Sequence, residues 1–351
     1  MSIIQLFLAF SSSMIISAVL LPVAIRLGEK HGLVDSPGQH KRHKRPVPVL
    51  GGVVLFAAVW ITVGFTLIIF PSLLGTISDS LLYVFLGALI IFLVGLSDDL
   101  SPLPAWVKLL AQIAAGLTLY LGGLNVELVS TPYGSVNVGW LSVIITVGWV
   151  VVLTNAINLI DGLDGLAGGV SLISAIVMGI IGQLYGVGEP LLFICAMIGF
   201  LLPFLYLNRY PARIFLGDSG SLQIGFYFAV VSLVFPIKSF TFTALYVPLL
   251  ALGVPVLETL SSIIRRAISG KNLMQADRRH LFHYLALAGL SYKQTILVFY
   301  SLAAVFGFFA LAMFVWDRKI VLGFLVFFMV VIFLLFLILL GKLPWRKNSA
   351  R

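Results

Sequence analysis

Residues 321–340, VLGFLVFFMVVIFLLFLILL, run for twenty positions without a charged or hydrogen-bonding side chain. A helix of that length rises about 30 Å, which matches the hydrocarbon core of a bilayer. Comparable runs fill the chain, near 3–25, 50–70, 80–97, 105–123, 140–156, 166–184, 190–207, 220–236, 241–263, 294–315 and 319–341. The reading is an all-α polytopic membrane protein with about eleven transmembrane helices, because helices satisfy their own backbone in lipid. A spanning β-barrel is excluded, since its segments would be shorter and alternating. Segment 124–139, LNVELVSTPYGSVNVG, does alternate around a Pro-Tyr-Gly-Ser turn and predicts a small β-hairpin between spans.

Composition agrees. Of 351 residues, 60% are hydrophobic and 10% charged, against about 25% charged in soluble domains. The mean hydropathy is +1.12. Cys195 is the single cysteine, so no disulfide framework or CxxC site forms within one chain, and its apolar surroundings read as packing. The net charge of +9 needs no nucleic acid as partner: Lys and Arg concentrate on the cytoplasmic side of membrane proteins. With the N-terminus outside, the inner segments carry six basic residues from Arg26 to Arg45, then Lys108, Arg209 and Arg213, six from Arg265 to Lys293, and four at the C-terminus. Only Lys238, Arg318 and Lys319 fall outside, which predicts the N-terminus outside and the C-terminus cytoplasmic. The first span has no basic residue before Arg26 and no small-residue cleavage site, and reads as an anchor. No second soluble domain and no internal repeat is evident, so 1–351 reads as one transmembrane domain. Within it, 264–293 is a basic, amphipathic cytoplasmic loop lying along the interface.

The same assignment puts all five histidines inside: His31, His40, His43, His280 and His283. His31, His40 and His43 read as solvated loop residues. Also inside are Asp98, Asp99, Asp161, Asp164, Asp218 and Asp277, whereas Asp79, Glu127, Glu189 and Asp317 are scattered outside. The basic-residue rule does not require that asymmetry, and it places a cleft for chemistry at the cytoplasmic face. Four segments carry it: GLSDDLSPL (95–103), NAINLIDGLDGLAGG (155–169), NRYPARIFLGDSGS (208–221) and ADRRHLFHYL (276–285). Acids flush with apolar runs must face water. Adjacent Asp98 and Asp99 repel unless a proton or cation sits between them. Asn158, Asp161 and Asp164 are three apart and would share a helix face. Oxygen donors of this kind suit Mg²⁺, which takes one or two carboxylates and keeps waters and phosphates. The glycines beside them let backbone approach a ligand. Lys44, Arg45, Lys108, Arg278 and Arg279 can bind phosphate oxygens. Together they indicate a pyrophosphate substrate meeting a lipid. A transporter predicts acids near mid-span and broken, repeated helices instead. A passive scaffold leaves the glycines of DGLDG and GDSGS unexplained.

From KRPVPVLGG at 44–52 to RRHLFHYL at 278–285, these motifs resemble the polyprenyl-phosphate N-acetylhexosamine-1-phosphate transferases, a family with N-acetylglucosamine and muramoyl-pentapeptide branches. The resemblance implies transfer of a sugar 1-phosphate from a UDP-N-acetylhexosamine to undecaprenyl phosphate, in the inner (plasma) membrane, as the first membrane step of a cell-envelope glycan. GlcNAc is the first choice of sugar, with a muramoyl-pentapeptide or deoxy-hexosamine donor as alternative. It implies Mg²⁺, with Mn²⁺ as substitute, on Asp218 with Asn158 and Asp99. Asp98 or Asp99 is implied as the base for the lipid phosphate, Asp161 and Asp164 as polar groups of the nucleotide site, and Phe215 as the aromatic stacked on uracil. Asn208, Asn155 and Lys108 become further polar positions, and His280 and His283 a cluster near sugar and phosphates. A homodimer rests on the resemblance alone. Phe282 stands where the family carries a histidine, and Glu258 is closer to the muramoyl branch, so the sugar is left open.

Overall fold

The computed structural model describes residues 1–37, 45–131, 134–184, 186–238, 249–268 and 281–341. Among them the chain forms helices α1 (Ile3–His31), α2 (Gly51–Ile69), α3 (Leu74–Leu100), α4 (Ala105–Leu121), α5 (Leu141–Ile160), α6 (Leu166–Leu184), α7 (Glu189–Asn208), α8 (Gly217–Lys238), α9 (Gly253–Ile268), α10 (Leu281–Leu287), α11 (Tyr292–Val315) and α12 (Arg318–Gly341). Seven of these are long and apolar enough to cross a membrane: α1, α2, α3 from Ser80, α5, α6, α7 from Pro190, and α11. Ala105–Leu121 is a shorter apolar helix, and α12 is apolar over Lys319–Leu334, the part of it whose side chains are described. Part of the run read at 241–263 lies outside the described residues, as does 269–280 of the amphipathic loop.

The hairpin forms where alternation predicted it. Strands β3 (Leu128–Thr131) and β4 (Gly134–Asn137) pair antiparallel. A second pair was not anticipated: β1 (Val34–Asp35) and β2 (Val47–Pro48), which follow α1. In sequence order, β3–β4 joins the end of α4 to the start of α5, so it caps the bundle end opposite the acidic turns.

Helix α8 is the axis. Every side chain from Ser219 to Val234 is buried, as expected of a helix apolar all round at the centre of a bundle. Helices α2, α3, α5 and α7 pack around it. Glycines set the closest of these crossings. A Cβ at Gly95 of α3 would lie 2.5 Å from Ser219 Cα, and one at Gly225 of α8 would lie 2.5 Å from the Leu153 carbonyl of α5. One at Gly52 of α2 would overlap the Ser219–Gly220 backbone. Small residues at crossings let membrane helices gain contact where lipid offers no hydrophobic drive to associate. The periphery is the reverse: Ile3, Ile4 and Phe7 of α1 and Phe324, Phe327 and Phe333 of α12 are exposed. Exposed Trp140 and Trp316 sit at the hairpin end and exposed Trp106 at the other, where interfacial indoles are expected.

Candidate active site

Four connections meet at the end of the bundle away from the hairpin: α1–α2, α3–α4, α5–α6 and α7–α8. The PVLGG stretch enters first. Phe215 N–H donates to the Pro48 carbonyl at 2.8 Å, Gly51 N–H to the Phe215 carbonyl at 3.0 Å, and Gly52 N–H to the Leu216 carbonyl at 2.9 Å. That ladder fixes the backbone of Phe215 and the start of α8. The cavity beside it has a volume of about 550 Å³ and is bordered by Asp98, Asp99, Asn158, Asp161, Asp164 and Asp218. Asn208, Phe215 and His283 border it as well.

The adjacent aspartates part company. Asp98 Oδ2 lies 3.2 Å from Lys108 Nζ, and its Oδ1 accepts from Leu103 N–H at 2.8 Å. Asp99 Oδ1 accepts from Asp218 N–H at 2.7 Å and its Oδ2 from Ser219 N–H at 3.0 Å. Asp99 thus caps the N-terminus of α8, where free N–H groups and the helix dipole favour an anion. The repulsion expected between them is relieved by two different positive partners. Gly217 makes room for this: its φ is +72°, and a Cβ there would lie 2.5 Å from Asp99 Oδ2.

Asp218 sits between cation and amide. Lys108 Nζ donates to its Oδ2 at 2.8 Å and Asn158 Nδ2 to its Oδ1 at 3.0 Å. Asn158 also donates to Ser221 Oγ at 3.0 Å.

Asp161 and Asp164 do not share a helix face with Asn158. Helix α5 stops at Ile160, Asp161 N–H turns back to the Asn158 carbonyl at 3.2 Å, and Gly165 takes φ +80°. The pair sits in a turn, and the two carboxylates serve differently. Asp164 Oδ2 accepts from Ala212 N–H at 2.9 Å. Among the described residues the Asp161 carboxylate has no hydrogen bond or ion pair. Burial, then the charges of Asp218, Asp99 and Asp164, push its carboxyl up to about 8.

Asn208 is buried and joins two loops: its Oδ1 accepts from Gly165 N–H at 2.8 Å and its Nδ2 donates to the Ile214 carbonyl at 2.7 Å. Asn155 does not border the cavity; its Nδ2 donates to Gln112 Oε1 at 2.6 Å and to the Val151 carbonyl at 2.7 Å. Arg45 is exposed beside β2. Lys44, Arg278, Arg279 and His280 lie outside the described residues. Part of the amphipathic loop docks on the site: Phe282 is buried, its ring 4.3 Å from that of His283, and a Cβ at Gly162 would lie 2.6 Å from it. The buried Glu258 carboxylate holds this helix by accepting from Leu281 N–H at 3.1 and 3.3 Å. The motif glycines at 162 and 217 therefore make room for protein groups, where a ligand had been expected.

Asp35 and Tyr292 border the cavity and belong to no motif, and Tyr210, inside the 208–221 segment, borders it without having been singled out. Asp35 is a single acid in VDSPG, and its strand pairing with Val47 depends on a contact across the loop.

The profile described as glycosyl transferase family 4 matches residues 81–236. A probable undecaprenyl-phosphate N-acetylglucosaminyl 1-phosphate transferase of Bacillus subtilis is 33% identical over 334 residues, covering 94% of this chain and 91% of the relative. The chain belongs to glycosyl transferase family 4. An undecaprenyl-phosphate alpha-N-acetylglucosaminyl 1-phosphate transferase of Escherichia coli K12 is 29% identical, covering 84% of the chain and 79% of the relative. A phospho-N-acetylmuramoyl-pentapeptide-transferase of Listeria monocytogenes is also 29% identical, over 87% and 97%. Family membership accords with an apolar bundle that gathers its acids at one end. The matched segment runs from α3 to α8 and so contains Asp98, Asp99, Lys108, Asn158, Asp161, Asp164 and Asp218, whereas β1, Glu258, Phe282 and Tyr292 lie outside it.

Among the described residues no three acidic, cysteine or imidazole groups form a cluster that could hold an ion by themselves. The donor set nonetheless fits a hard divalent cation, since Mg²⁺ needs only one or two protein carboxylates and completes its shell with water and phosphate. After burial, the charges of Asp218, Asp99 and Asp164 raise Asp161, and such a cation would neutralise them.

Proposed function

We propose that this chain transfers N-acetylhexosamine 1-phosphate, with GlcNAc as the sugar, from a UDP-sugar to undecaprenyl phosphate. The products are UMP and a polyprenyl-pyrophosphoryl sugar. The observation that carries the reading is Asp218, held between Lys108 and Asn158 at 2.8 and 3.0 Å beside a cavity at the end of an apolar bundle. A water-filled acidic pocket abutting lipid suits a reaction between a soluble pyrophosphate and a membrane-bound phosphate. The names borne by the Bacillus subtilis and Escherichia coli relatives support the same acceptor and sugar.

An oxygen of the lipid phosphate attacks the phosphorus that bears the sugar, and the bond from that phosphorus to the UMP oxygen breaks. Phosphoryl transfers gain most of their rate from positioning and charge stabilisation. Asp98 or Asp99 takes the lipid-phosphate proton: Asp98 shares its oxygens with Lys108 and Leu103 N–H, and both Asp99 oxygens accept backbone N–H groups. Phe215 stacks on uracil, and Asp161 and Asp164 belong to the nucleotide site. Lys44, Arg45, Arg278, Arg279, His280 and His283 draw the phosphates and sugar. Asp218 with Asn158 would hold Mg²⁺, or Mn²⁺ in its place, with Asp99 supporting Asp218 from behind. When bound, such a cation supplies Lewis-acid charge to the pyrophosphate and to departing UMP. The proposal includes eleven crossings of the inner membrane, the N-terminus outside, the cavity and C-terminus cytoplasmic, and a homodimer.

The test is UMP release by purified protein in detergent with undecaprenyl phosphate, Mg²⁺ and a panel of UDP-sugars. The expected result is lipid-dependent UMP from UDP-GlcNAc. Release only from UDP-MurNAc-pentapeptide or a deoxy-hexosamine donor would keep the chemistry and replace the sugar. Folded protein that releases UMP from none would contradict the function.

A further inference from the structure

The Asp161–Gly165 turn is gripped from two sides. From the α7–α8 connection, Asn208 Oδ1 accepts Gly165 N–H and Ala212 N–H donates to Asp164. From the other side come two tyrosines of α11. The Tyr292 hydroxyl donates to the Asp164 carbonyl at 2.7 Å and the Tyr300 hydroxyl to the Gly165 carbonyl at 2.6 Å. Neither residue belongs to a motif, and α11 lies beyond the family-matched segment.

The grip is built in. Ser291 and Gln294 form a capping box at the start of α11, with Gln294 Oε1 accepting from Ser291 N–H at 2.8 Å. That reciprocal cap stiffens the helix start that carries Tyr292. The Tyr292 ring packs on Tyr210, centroid to centroid at 4.5 Å, so the same residue also joins α11 to the α7–α8 connection. At Gly169 of LAGG a Cβ would overlap the Tyr300 hydroxyl. The second glycine after the turn is thereby explained by the tyrosine rather than by a ligand.

We propose that Tyr292 and Tyr300 are positioning residues: their hydroxyls set the conformation of the Asp161–Gly165 turn and so aim Asp161 into the cavity. The Asp161 carboxylate has no hydrogen bond among the described residues, so its direction is set by its backbone. The backbone is held at the next carbonyls but two and three, by α11. Displacement by about 1 Å in an active site can cost a hundredfold in rate. The proposal rests on the transferase reading for its kinetic arm only.

The test compares wild type with Tyr292→Phe, Tyr300→Phe and the double variant, full length in detergent. Each variant keeps the ring and removes the hydroxyl. The expected kinetic result is a split: kcat for UMP release falls roughly tenfold in the double variant, while KM for undecaprenyl phosphate is unchanged. A loss that came only from poorer folding would lower the active fraction without altering the pH profile or slowing each active enzyme, so active-site titration accompanies the rates. Independently, amide exchange in a peptide covering 161–169 should rise about tenfold or more in the double variant, with α8 peptides unchanged. Wild-type kcat together with wild-type exchange in 161–169 would overturn the proposal. So would exchange raised equally in α8, which would mean general loosening. If wild type itself releases no UMP, the transferase reading fails, while the exchange comparison still decides the clamp.

Discussion

At one corner of the cavity, the first turn of α8 is fixed by the Asp99 carboxylate and by glycines of α2 and α3 that bring backbone against backbone. At the other corner, the Asp161–Gly165 turn is fixed by side chains: Asn208, Asp164 and the hydroxyls of Tyr292 and Tyr300. The first corner is made within the bundle core and cannot move without separating helices. The second is a loop held by hydrogen bonds, each worth about 0.5–1.5 kcal/mol net. The same cavity thus joins a rigid anchor for Asp218 to an adjustable mount for Asp161.

The largest effect is expected at the rigid corner. Gly95→Val should prevent proper packing of α3 on α8, because overpacking a tight contact costs about 1–3 kcal/mol or more. Size-exclusion profiles in detergent should show loss of the monodisperse peak, and a well-folded, active variant would mean the contact yields. Asp99→Ala removes a helix cap worth about 1–2 kcal/mol and should cut UMP release by roughly a hundredfold as Asp218 loses its aim. Asn208→Ala, at the adjustable corner, leaves Gly165 N–H without its acceptor and should lower the thermal midpoint by an amount equivalent to about 1–3 kcal/mol. Its effect on turnover should be smaller than that of Asp99→Ala; the reverse order would invert the account of which corner is rigid.

The smallest effect concerns pH. The Asp161 carboxyl is pushed up to about 8, above its ordinary value near 3.9. Between those values the folded state binds more protons than the unfolded one, so stability falls as pH rises from about 4 toward 8. In chelated buffer, Asp161→Asn should therefore raise the thermal midpoint at pH 8 more than at pH 5. Equal shifts at both would show that Asp161 is not under charge stress.

Much of this was legible because the solvent is lipid. Twenty apolar residues at 321–340 have few other uses, and acids such as Asp161 and Asp218 beside apolar runs demand a wet pocket. Which acid does what was not legible. Asp98 and Asp99 are neighbours in sequence, yet one faces Lys108 and the other caps a helix that begins 118 residues later. The three-residue spacing of Asn158, Asp161 and Asp164 suggested a helix face, but glycines at 162 and 165 end the helix first. Asn155 carries the right chemistry and spends it on Gln112. Tyr292 had no local signal, because its partner lies 128 residues away.

The most direct test of the central claim is Asp218→Ala, assayed for Mg²⁺- and undecaprenyl-phosphate-dependent UMP release beside wild type at equal amounts of membrane-inserted, monodisperse protein. Wild type should release UMP and the variant should fall to background. Turnover retained in the variant would contradict the assignment of this cavity as the transferase site.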